Sequence, residues 1–360
     1  MLATIISTSG STPASAFSKM LVKDGGKSWS GTVGGGCMEG DVLESARSLY
    51  HQQKTKVLTF HLNENEMVQG LICGGSLDVL IEPITRDQIP LLKKIKALRD
   101  EGDDGIVMTL VSNSGRMLSK HACAVSGGTS DLEDVLKSSN NPILQSSVLE
   151  IVEEAQKAHR RNETRRLKLG DAELILEPTT GQPSLIIFGG GHVSKSISRA
   201  AAMVGFRVTI VDDRKEYASL ERFPEASKTF VAEYYDAFDR VIVKPSSYIV
   251  IVTRGHRADE EVLGRALKTP AKYIGMIGSK RKVMTTYEHL VERGARIEDL
   301  RRVHAPMGVE LGAVTTEEIG ISVVAQLIHV RRGGPHVHHK SETMNDLIEQ
   351  LGRKQSVRTR

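Results

Sequence analysis

The fold of the second half of the chain is decided by the stretch Leu-Ile-Ile-Phe-Gly-Gly-Gly-His-Val-Ser at residues 185–194. It places a glycine cluster between a buried strand and a helix. Gly189 permits the tight turn, and Gly191 lets main-chain amides approach a pyrophosphate at the positive helix end. Ser194 replaces the usual third glycine and is small enough for close helix–strand packing. We therefore predict a dinucleotide-binding turn with these cofactor-binding candidates: Gly189, Gly190, Gly191 and His192.

A second strand follows at the distance that such a fold requires. It ends at Asp212, which is placed to accept hydrogen bonds from an adenine-ribose diol. Arg214 is suited instead to a 2′-phosphate, so the choice between NAD and NADP is open. Further strands are predicted at 248–252 and 273–277, with helices between them. This alternation predicts a Rossmann-like, doubly wound parallel sheet with helices on both faces.

The carboxyl ends of these strands carry further candidates. At 275–282, Gly278 and Ser279 offer backbone donors at a helix start and three cations follow, which favours an anion. A solvated first turn is the alternative interpretation. Four side chains at strand ends are acid–base candidates, each with a structural role as its alternative: His192, His256, Asp259 and His304. No complete catalytic constellation can be assembled, so no catalytic residue is assigned.

A cysteine distinguishes the first half of the chain. Cys37 stands at the start of a helix predicted over 38–52, directly after three glycines, Gly34, Gly35 and Gly36. A helix N-terminus favours the thiolate and hence nucleophilic, sulfur-carrying or soft-metal roles, whereas Glu39 and Asp41 oppose it. Cys73 also adjoins glycines, so the two thiols could converge on one site. A small, hydrophobic packing role is the alternative for both cysteines.

Composition bounds the remaining function classes. The chain has 360 residues, 39% hydrophobic and 26% charged, as in a soluble protein of two ordinary domains. A net charge of +4, from 48 basic and 44 acidic side chains, is too even to predict nucleic-acid binding. Apolar runs are too short for a membrane span, and no secretory signal is recognisable. Three cysteines cannot form a fully paired disulfide framework, and none makes a CxxC pair, so we expect a reducing, cytoplasmic setting. Cys123 is predicted to be structural.

Turn-forming and polar segments predict the domain organisation of the chain. A polar, turn-forming segment at 179–183 separates a cysteine-bearing domain over 1–180 from a dinucleotide-binding domain over 184–333. Residues 334–360 are predicted to form a polar C-terminal tail. Capping boxes are predicted at 147–150 and at 315–318, each opening a helix.

Taken together, these motifs resemble the XdhC/CoxI family of accessory proteins for molybdenum hydroxylases. The matching segments, in chain order, are 8–13, 18–22, 31–39, 73–79, 188–193, 253–256, 275–280 and 304–308. The Gly-Gly-Gly-Cys and Gly-Met-Ile-Gly-Ser-Lys blocks are the most specific of them. One departure is Ala14, where the family often has an arginine.

The resemblance implies an α/β protein with an N-terminal XdhC/CoxI-type domain and a C-terminal Rossmann-like domain. It implies binding of molybdenum cofactor (molybdopterin), help with its sulfuration by a cysteine desulfurase, and transfer to an apo-hydroxylase such as xanthine dehydrogenase. Cys37 would contact molybdenum or its sulfur, with a pterin phosphate against the glycine turns. Such a protein is a cofactor chaperone rather than a catalyst.

Two other classes of function are weighed against this one. The first is an NAD(P)-dependent oxidoreductase with His256 or His304 as proton donor. The second is a nucleotide-binding regulatory module without catalysis, since fold alone does not imply function. The sequence leaves open the hydroxylase served, the nucleotide and the oligomeric state, a homodimer included.

Overall fold

The structure is a computed structural model that describes residues 1–61, 75–125, 130–333, 337–344, 348–349 and 351. It divides into two compact units, unit 1 over Met1–Gly181 and unit 2 over Gln182–Arg360. No helix within the described ranges is long and apolar enough to cross a bilayer.

The described strands of unit 1 form two antiparallel sheets, ordered β3-β2-β1-β5-β4 and β7-β6-β9-β8. Its elements are β1 (Leu2–Ser9), β2 (Lys19–Lys23), β3 (Ser28–Gly31), α1 (Gly36–Gln52), β4 (Lys56–His61), β5 (Ser76–Glu82), α2 (Ile89–Glu101), β6 (Gly105–Ser112), β7 (Met117–Ala124), α3 (Ser130–Lys137), α4 (Pro142–Ser146), α5 (Val148–Arg161), β8 (Arg165–Leu169) and β9 (Ala172–Thr179).

Alternation along the strands explains how the first sheet is covered. Ala3 and Ile5 of β1 point into a core shared with α1, whereas Ile6 packs with Leu80 and Ile175 in a separate cluster. This period of two is that of a strand whose faces meet different neighbours. Helix α1 contributes its apolar positions, spaced three and four apart, to the first core: Met38, Val42, Leu43, Ala46 and Leu49.

One predicted capping box in unit 1 is wrong. The Ser147 side chain makes no cap hydrogen bond to α5, and its backbone has φ −117° and ψ 22° rather than the extended conformation of an N-cap. The physical reason is that α4 and α5 follow each other directly. Ser147 also closes α4, where its own N–H donates to the carbonyl of Leu144 at 3.4 Å. A residue that ends one helix cannot take the conformation that opens the next.

The described strands of unit 2 form one parallel sheet ordered β12-β11-β10-β13-β14-β15. Its elements are β10 (Ser184–Phe188), α6 (His192–Met203), β11 (Arg207–Asp212), β12 (Lys228–Val231), α7 (Tyr234–Ala237), β13 (Tyr248–Ile251), α8 (His256–Ala266), β14 (Tyr273–Met276), α9 (Lys280–Glu292), α10 (Ile297–Leu300), β15 (Val303–His304) and α11 (Thr316–Arg332).

Helices cover both faces of this sheet. Helices α6 and α11 share one apolar core with it, and α7 to α10 share the other. The direction of winding changes between β10 and β13, and ligands of such sheets bind outside the carboxyl ends of the strands at that point. The predicted α/β class with a Rossmann-like second half is confirmed.

Helix α11 begins with reciprocal hydrogen bonds between Thr315 and Glu318. The Thr315 side chain accepts from the Glu318 N–H while Glu318 accepts from the Thr315 N–H, so the second predicted capping box is confirmed.

The segment that the sequence assigns to a polar tail is in part packed against the rest of unit 2. Within it, His339 forms an isolated antiparallel bridge with Val309. The described apolar residues beyond it, Met344, Ile348 and Leu351, are buried in the core shared with α8 and α9.

Candidate functional site

Three glycines link β10 to α6, and the structure gives them different surroundings. Gly189 has φ +107°, and a Cβ on it would overlap the carbonyl oxygen of Val252. A Cβ on Gly190 would overlap the carbonyl oxygen of Tyr217. Gly191 has φ −71° and would have no atom within 4 Å of such a Cβ. The first two glycines are therefore required by packing, and the third borders open space at the start of α6.

Asp212, at the end of β11, is fully buried and holds this turn in place. Its Oδ2 accepts from the Gly190 N–H at 2.7 Å, and its Oδ1 accepts from the Arg214 N–H at 3.0 Å. The Arg214 guanidinium adds a two-pronged contact, from Nε at 2.9 Å and from Nη2 at 3.1 Å. Burial alone would raise the pKa of Asp212, but hydrogen bonds from Arg214 and Gly190 hold it below its ordinary value. Asp212 is therefore an ionised carboxylate at neutral pH.

Further arginines surround the same turn. The Arg214 guanidinium carbon lies 3.5 Å from the centre of the Tyr217 ring. Arg222 donates from Nε to the carbonyl of Gly190 at 2.8 Å, and its Nη2 is buried without a partner among the described residues. Arg254, in the loop after β13, pairs with Asp213 at 2.7 Å. The carboxyl edge beside the glycine turn thus carries more positive than negative side chains.

The two neighbouring loops of the crevice are tied together by an ion pair. Asp259 of α8 is fully buried and accepts from the hydroxyl of Thr253 at 2.6 Å. Lys282, in the first turn of α9, pairs with the same carboxylate. Ser279 caps α9 by accepting from the Lys282 N–H at 3.3 Å. Of the three cations predicted to face an anion, Lys282 is therefore turned inward, while Lys280 and Arg281 are exposed.

The candidate histidines lie in unlike surroundings. His192 and His256 are exposed in the first turns of α6 and α8. His304 is partly buried and stacks on Tyr273 with ring centres 4.6 Å apart. Burial, and then the nearby His339, lower the pKa of His304 to about 4, so the ring is neutral at pH 7.

A fully buried glutamine of α11, which the sequence did not single out, fixes this ring. Gln326 donates from Nε2 to Nδ1 of His304 at 3.3 Å, which leaves the imidazole proton on Nε2. Its Oε1 accepts from the hydroxyl of Tyr273 at 2.7 Å and from the Gly308 N–H at 2.8 Å. The only sequence signal was a polar residue within a largely apolar helix.

In unit 1, a second glycine turn leads into α1. Gly34, Gly35 and Gly36 all have positive φ, at 126°, 75° and 62°. The Glu39 carboxylate folds back over this turn and accepts from the hydroxyl of Thr32 at 2.5 Å. It also accepts from the N–H groups of Val33 and Gly35, at 3.3 and 3.2 Å. Cys37 follows in the first helical turn with its side chain partly buried.

Other family-like segments of unit 1 meet this turn. A Cβ on Gly34 would lie 3.1 Å from Cγ of Pro13 and 3.6 Å from Cβ of Ala14. A Cβ on Gly75 would lie 2.5 Å from the carbonyl oxygen of Ser9, so the chain leading into β5 touches the end of β1. The segments around 9–14, 34–37 and 75 are thus drawn to the end of the first sheet where β1 finishes.

Of the other two cysteines, the structure describes one, Cys123. Cys73 lies outside the described residues. Cys123 is buried in the core of the second sheet, where burial raises the pKa of its thiol to about 11. Its Sγ lies 3.9 Å from the carbonyl oxygen of Ile106. In the described ranges, no three His, Cys, Asp or Glu side chains are grouped so that they could hold a metal ion.

Comparison with known proteins extends these observations. The model of the XdhC and CoxI family matches residues 1–61, and that of the XdhC Rossmann domain matches residues 185–327, together more than half of the chain. A probable xanthine dehydrogenase subunit from Bacillus subtilis (strain 168) is 23% identical over 338 residues, covering 92% of this chain and 93% of the relative.

Two further relatives differ in the share of each chain that the similarity covers. YqeB of Escherichia coli (strain K12) is 33% identical over 155 residues, which are 43% of this chain and only 28% of that protein. A crystal structure of a xanthine dehydrogenase from Bacillus halodurans has 25% identity and a TM-score of 0.72, covering 93% of this chain and 92% of that one. The similarity to the two Bacillus proteins thus extends over nearly the whole chain.

Proposed function

Because the chain belongs to the XdhC and CoxI family, as its motifs predicted, we propose that it serves a molybdenum hydroxylase of the xanthine dehydrogenase type. In this proposal it binds molybdenum cofactor as cargo, assists its sulfuration by a cysteine desulfurase, and delivers it to the apo-enzyme in the cytoplasm. The observation that carries the proposal is the partly buried Cys37, set at the start of α1 directly after three glycines, the first of which packs against Pro13 and Ala14.

The chemistry of this site suits a sulfur-bearing, phosphorylated ligand. A thiolate is a soft ligand, fit to contact molybdenum or the sulfur bound to it. Because α1 begins at Gly36, the N–H groups of Gly36 and Cys37 have no acceptor within the helix and lie at its positive end. They are the donors left beside the thiol for a pterin phosphate, since those of Val33 and Gly35 are bonded to Glu39.

The departure at Ala14 falls within the same assembly, beside Gly34. Where an arginine would bring a positive charge to an anionic cargo, this chain brings a methyl group. The helix amides then supply more of the attraction for the phosphate. We infer that the cargo is held less by charge than in relatives with arginine at this position.

Unit 2 supports the second half of the proposal, which is binding of a dinucleotide of the NAD(P) type. The open side of Gly191 lets a pyrophosphate approach the amides at the start of α6, and the surrounding arginines favour its charge. The nucleotide then serves as a ligand of an accessory protein. No side chain is assigned a catalytic role.

The decisive experiment compares two cysteine variants. The chain is expressed in a host that makes molybdenum cofactor, purified, and assayed for molybdenum and for the fluorescent oxidation product of the pterin. We expect Cys37→Ala to retain at least tenfold less cofactor than the parent, with an unchanged circular dichroism spectrum. Cys123→Ala removes the same group from the core of the second sheet and should retain cofactor like the parent.

Three results would count against the proposal. Equal cofactor retention by Cys37→Ala and the parent would remove Cys37 from the site. A parent that carries no pterin, and that does not raise the activity of a co-expressed apo-hydroxylase, would end the accessory role itself. Hydride transfer from NADPH to small carbonyl compounds would favour an oxidoreductase instead.

A further inference from the structure

We propose that the nucleotide site of unit 2 selects a ribose carrying a 2′-phosphate, bound by Arg214, and that Asp212 positions the glycine turn instead of binding ribose hydroxyls. This inference rests on the proposed dinucleotide site and names the class of ligand that it takes. It decides between NAD and NADP, which the sequence left open.

Asp212 is not available to a ribose diol. A diol donates two O–H groups to a carboxylate, and a carboxylate has about four acceptor positions. Here four N–H donors lie within 3.1 Å of the two oxygens, and the hydroxyl of Tyr234 lies 3.4 Å from Oδ2. The side chain is also wholly shielded from solvent. A diol could reach it only by displacing the N–H of Gly190 or the guanidinium of Arg214.

Arg214, in contrast, has N–H donors that Asp212 does not use. A guanidinium carries five N–H groups, of which Asp212 uses one on Nε and one on Nη2. The side chain is 25% exposed, and its guanidinium carbon lies 3.5 Å from the centre of the Tyr217 ring. Its remaining donors form a fixed, planar group of the kind that binds phosphate oxygens in pairs. Because two contacts already fix its orientation, less side-chain entropy is lost when a phosphate binds.

The charges around the turn also favour a further phosphate. Arg214, Arg222 and Arg254 bring three positive charges, and Asp212 and Asp213 bring two negative ones. Within the described residues, no carboxylate forms an ion pair with Arg222, which is anchored instead to the carbonyl of Gly190. The net charge of this group is positive before any ligand binds. A dianionic 2′-phosphate would be attracted there, and a neutral diol would not.

Asp213, the next residue in the chain, is a second carboxylate that could accept from a diol. Its Oδ2 pairs with Arg254 at 2.7 Å, and its side chain is 16% exposed. Its Oδ1 has no hydrogen-bond partner among the described residues, but it is buried and lies 3.5 Å from Nε of Arg214, so a diol that used this oxygen would bind directly beside Arg214. Asp213→Asn therefore belongs in the test as the rival to Arg214→Gln.

Calorimetry on the full chain tests the proposal directly. The probes are NADP and NAD, and adenosine 2′,5′-bisphosphate and adenosine 5′-monophosphate, because each pair differs only by the 2′-phosphate. We expect the parent to bind the phosphorylated member at least tenfold tighter, since a charge-assisted contact of this kind is worth about one factor of ten or more. Arg214→Gln should reduce the preference to less than about threefold.

Control variants separate recognition from folding. Arg296 makes a similar two-pronged contact with Asp299, but it precedes α10 at the opposite edge of the sheet. Arg296→Gln should keep the full preference. If Arg214→Gln does not fold, Arg214→Lys retains the charge without the planar group and should weaken the preference. The ratio measured on the parent needs no variant.

Three outcomes overturn the proposal: equal or tighter binding of NAD by the parent, binding of neither nucleotide, or a preference altered by Asp213→Asn and not by Arg214→Gln. The pterin assay on Cys37→Ala, described above, is independent of the nucleotide. Its result therefore shows whether the accessory function fails together with this inference or survives it.

Discussion

Two single variants, Gly190→Ala and Gly191→Ala, should have opposite effects in unit 2: the first should lower stability, and the second should lower nucleotide affinity. In Gly190→Ala the new methyl group would overlap the carbonyl oxygen of Tyr217 and lie 2.8 Å from its carbonyl carbon. Both atoms belong to the backbone, so the loop itself must shift. Such overpacking costs about 1–3 kcal/mol. The shift also stretches the bond from the Gly190 N–H to Asp212, a charge-assisted contact worth about 1.5–3 kcal/mol.

Together these effects should lower the free energy of unfolding of unit 2 by about 3–5 kcal/mol. For a unit of this size that is a fall of about 10 °C in its melting temperature. In Gly191→Ala the methyl group meets no atom within 4 Å, and the backbone has an ordinary φ of −71°. That variant should be as stable as the parent, or more stable by about 0.5 kcal/mol, because alanine restricts the unfolded chain. Its affinity for nucleotide should nevertheless fall at least tenfold, since the methyl occupies the path of the pyrophosphate.

Thermal unfolding followed by far-ultraviolet circular dichroism measures both variants. The chain has a single tryptophan, Trp29 of β3, so tryptophan fluorescence reports on unit 1. We expect Gly190→Ala to lower the transition seen by circular dichroism while the Trp29 transition stays in place. A change below about 0.5 kcal/mol for Gly190→Ala would refute the packing argument. Unchanged nucleotide affinity in Gly191→Ala would refute the placement of the pyrophosphate.

Two further predictions concern the buried contacts around His304. Gln326→Leu leaves the buried hydroxyl of Tyr273 and the buried N–H of Gly308 without a partner, so we expect the free energy of unfolding in urea to fall by about 3–5 kcal/mol. The exposed control Gln52→Leu on α1 should lower it by less than about 0.5 kcal/mol. A fall below about 1 kcal/mol for Gln326→Leu would contradict this role. The pKa of His304 is about 4 in the folded chain, against an ordinary value of 6.5. Between these two pH values the unfolded chain binds more protons than the folded chain. The free energy of unfolding should therefore fall by about 3 kcal/mol as the pH drops from 6.5 to 4. The urea midpoint of His304→Asn should depend less on pH over this window, and parallel profiles would count against the assignment.

Local patterns were sufficient for the centre of the Rossmann-like unit. An apolar run, three glycines and a second run ending in an acid predicted β10, the turn and β11, because each feature is a property of adjacent residues. The outer strands β12 and β15 were not predicted. β15 has only two residues, and the four residues of β12 are at most half-buried, so neither gives a buried apolar run like those of β13 and β14. Both exist through parallel pairing, with β11 and with β14. Their formation depends on neighbours distant in sequence.

In the candidate site, too, the sequence located residues but not the contacts they make with residues distant in the chain. The glycines and Asp212 were located from spacing, but spacing cannot tell what a carboxylate faces. Asp212 meets the amide of a glycine that lies 22 residues earlier, and this contact leaves little room for a ribose diol. Gln326 escaped notice because a glutamine in an apolar helix has the same local signature whether it clamps three groups or lies at the surface. Whether Ser147 capped α5 depended on α4 ending at the same residue.

Each glycine turn is already bonded to a carboxylate of its own unit, Glu39 in unit 1 and Asp212 in unit 2. A turn built to bind an anion exposes several N–H groups together, and a buried N–H without an acceptor costs about 1–3 kcal/mol. An internal carboxylate removes that cost while the site is empty and fixes the conformation of the turn before a ligand arrives. The carboxylate also repels an anionic ligand, so the affinity must come from groups beside it. In unit 1 these are the thiol of Cys37 and the first amides of α1, and in unit 2 they are Arg214 and the amides after Gly191. Removing either carboxylate should therefore lower ligand affinity by loosening the turn, although its negative charge opposes the ligand.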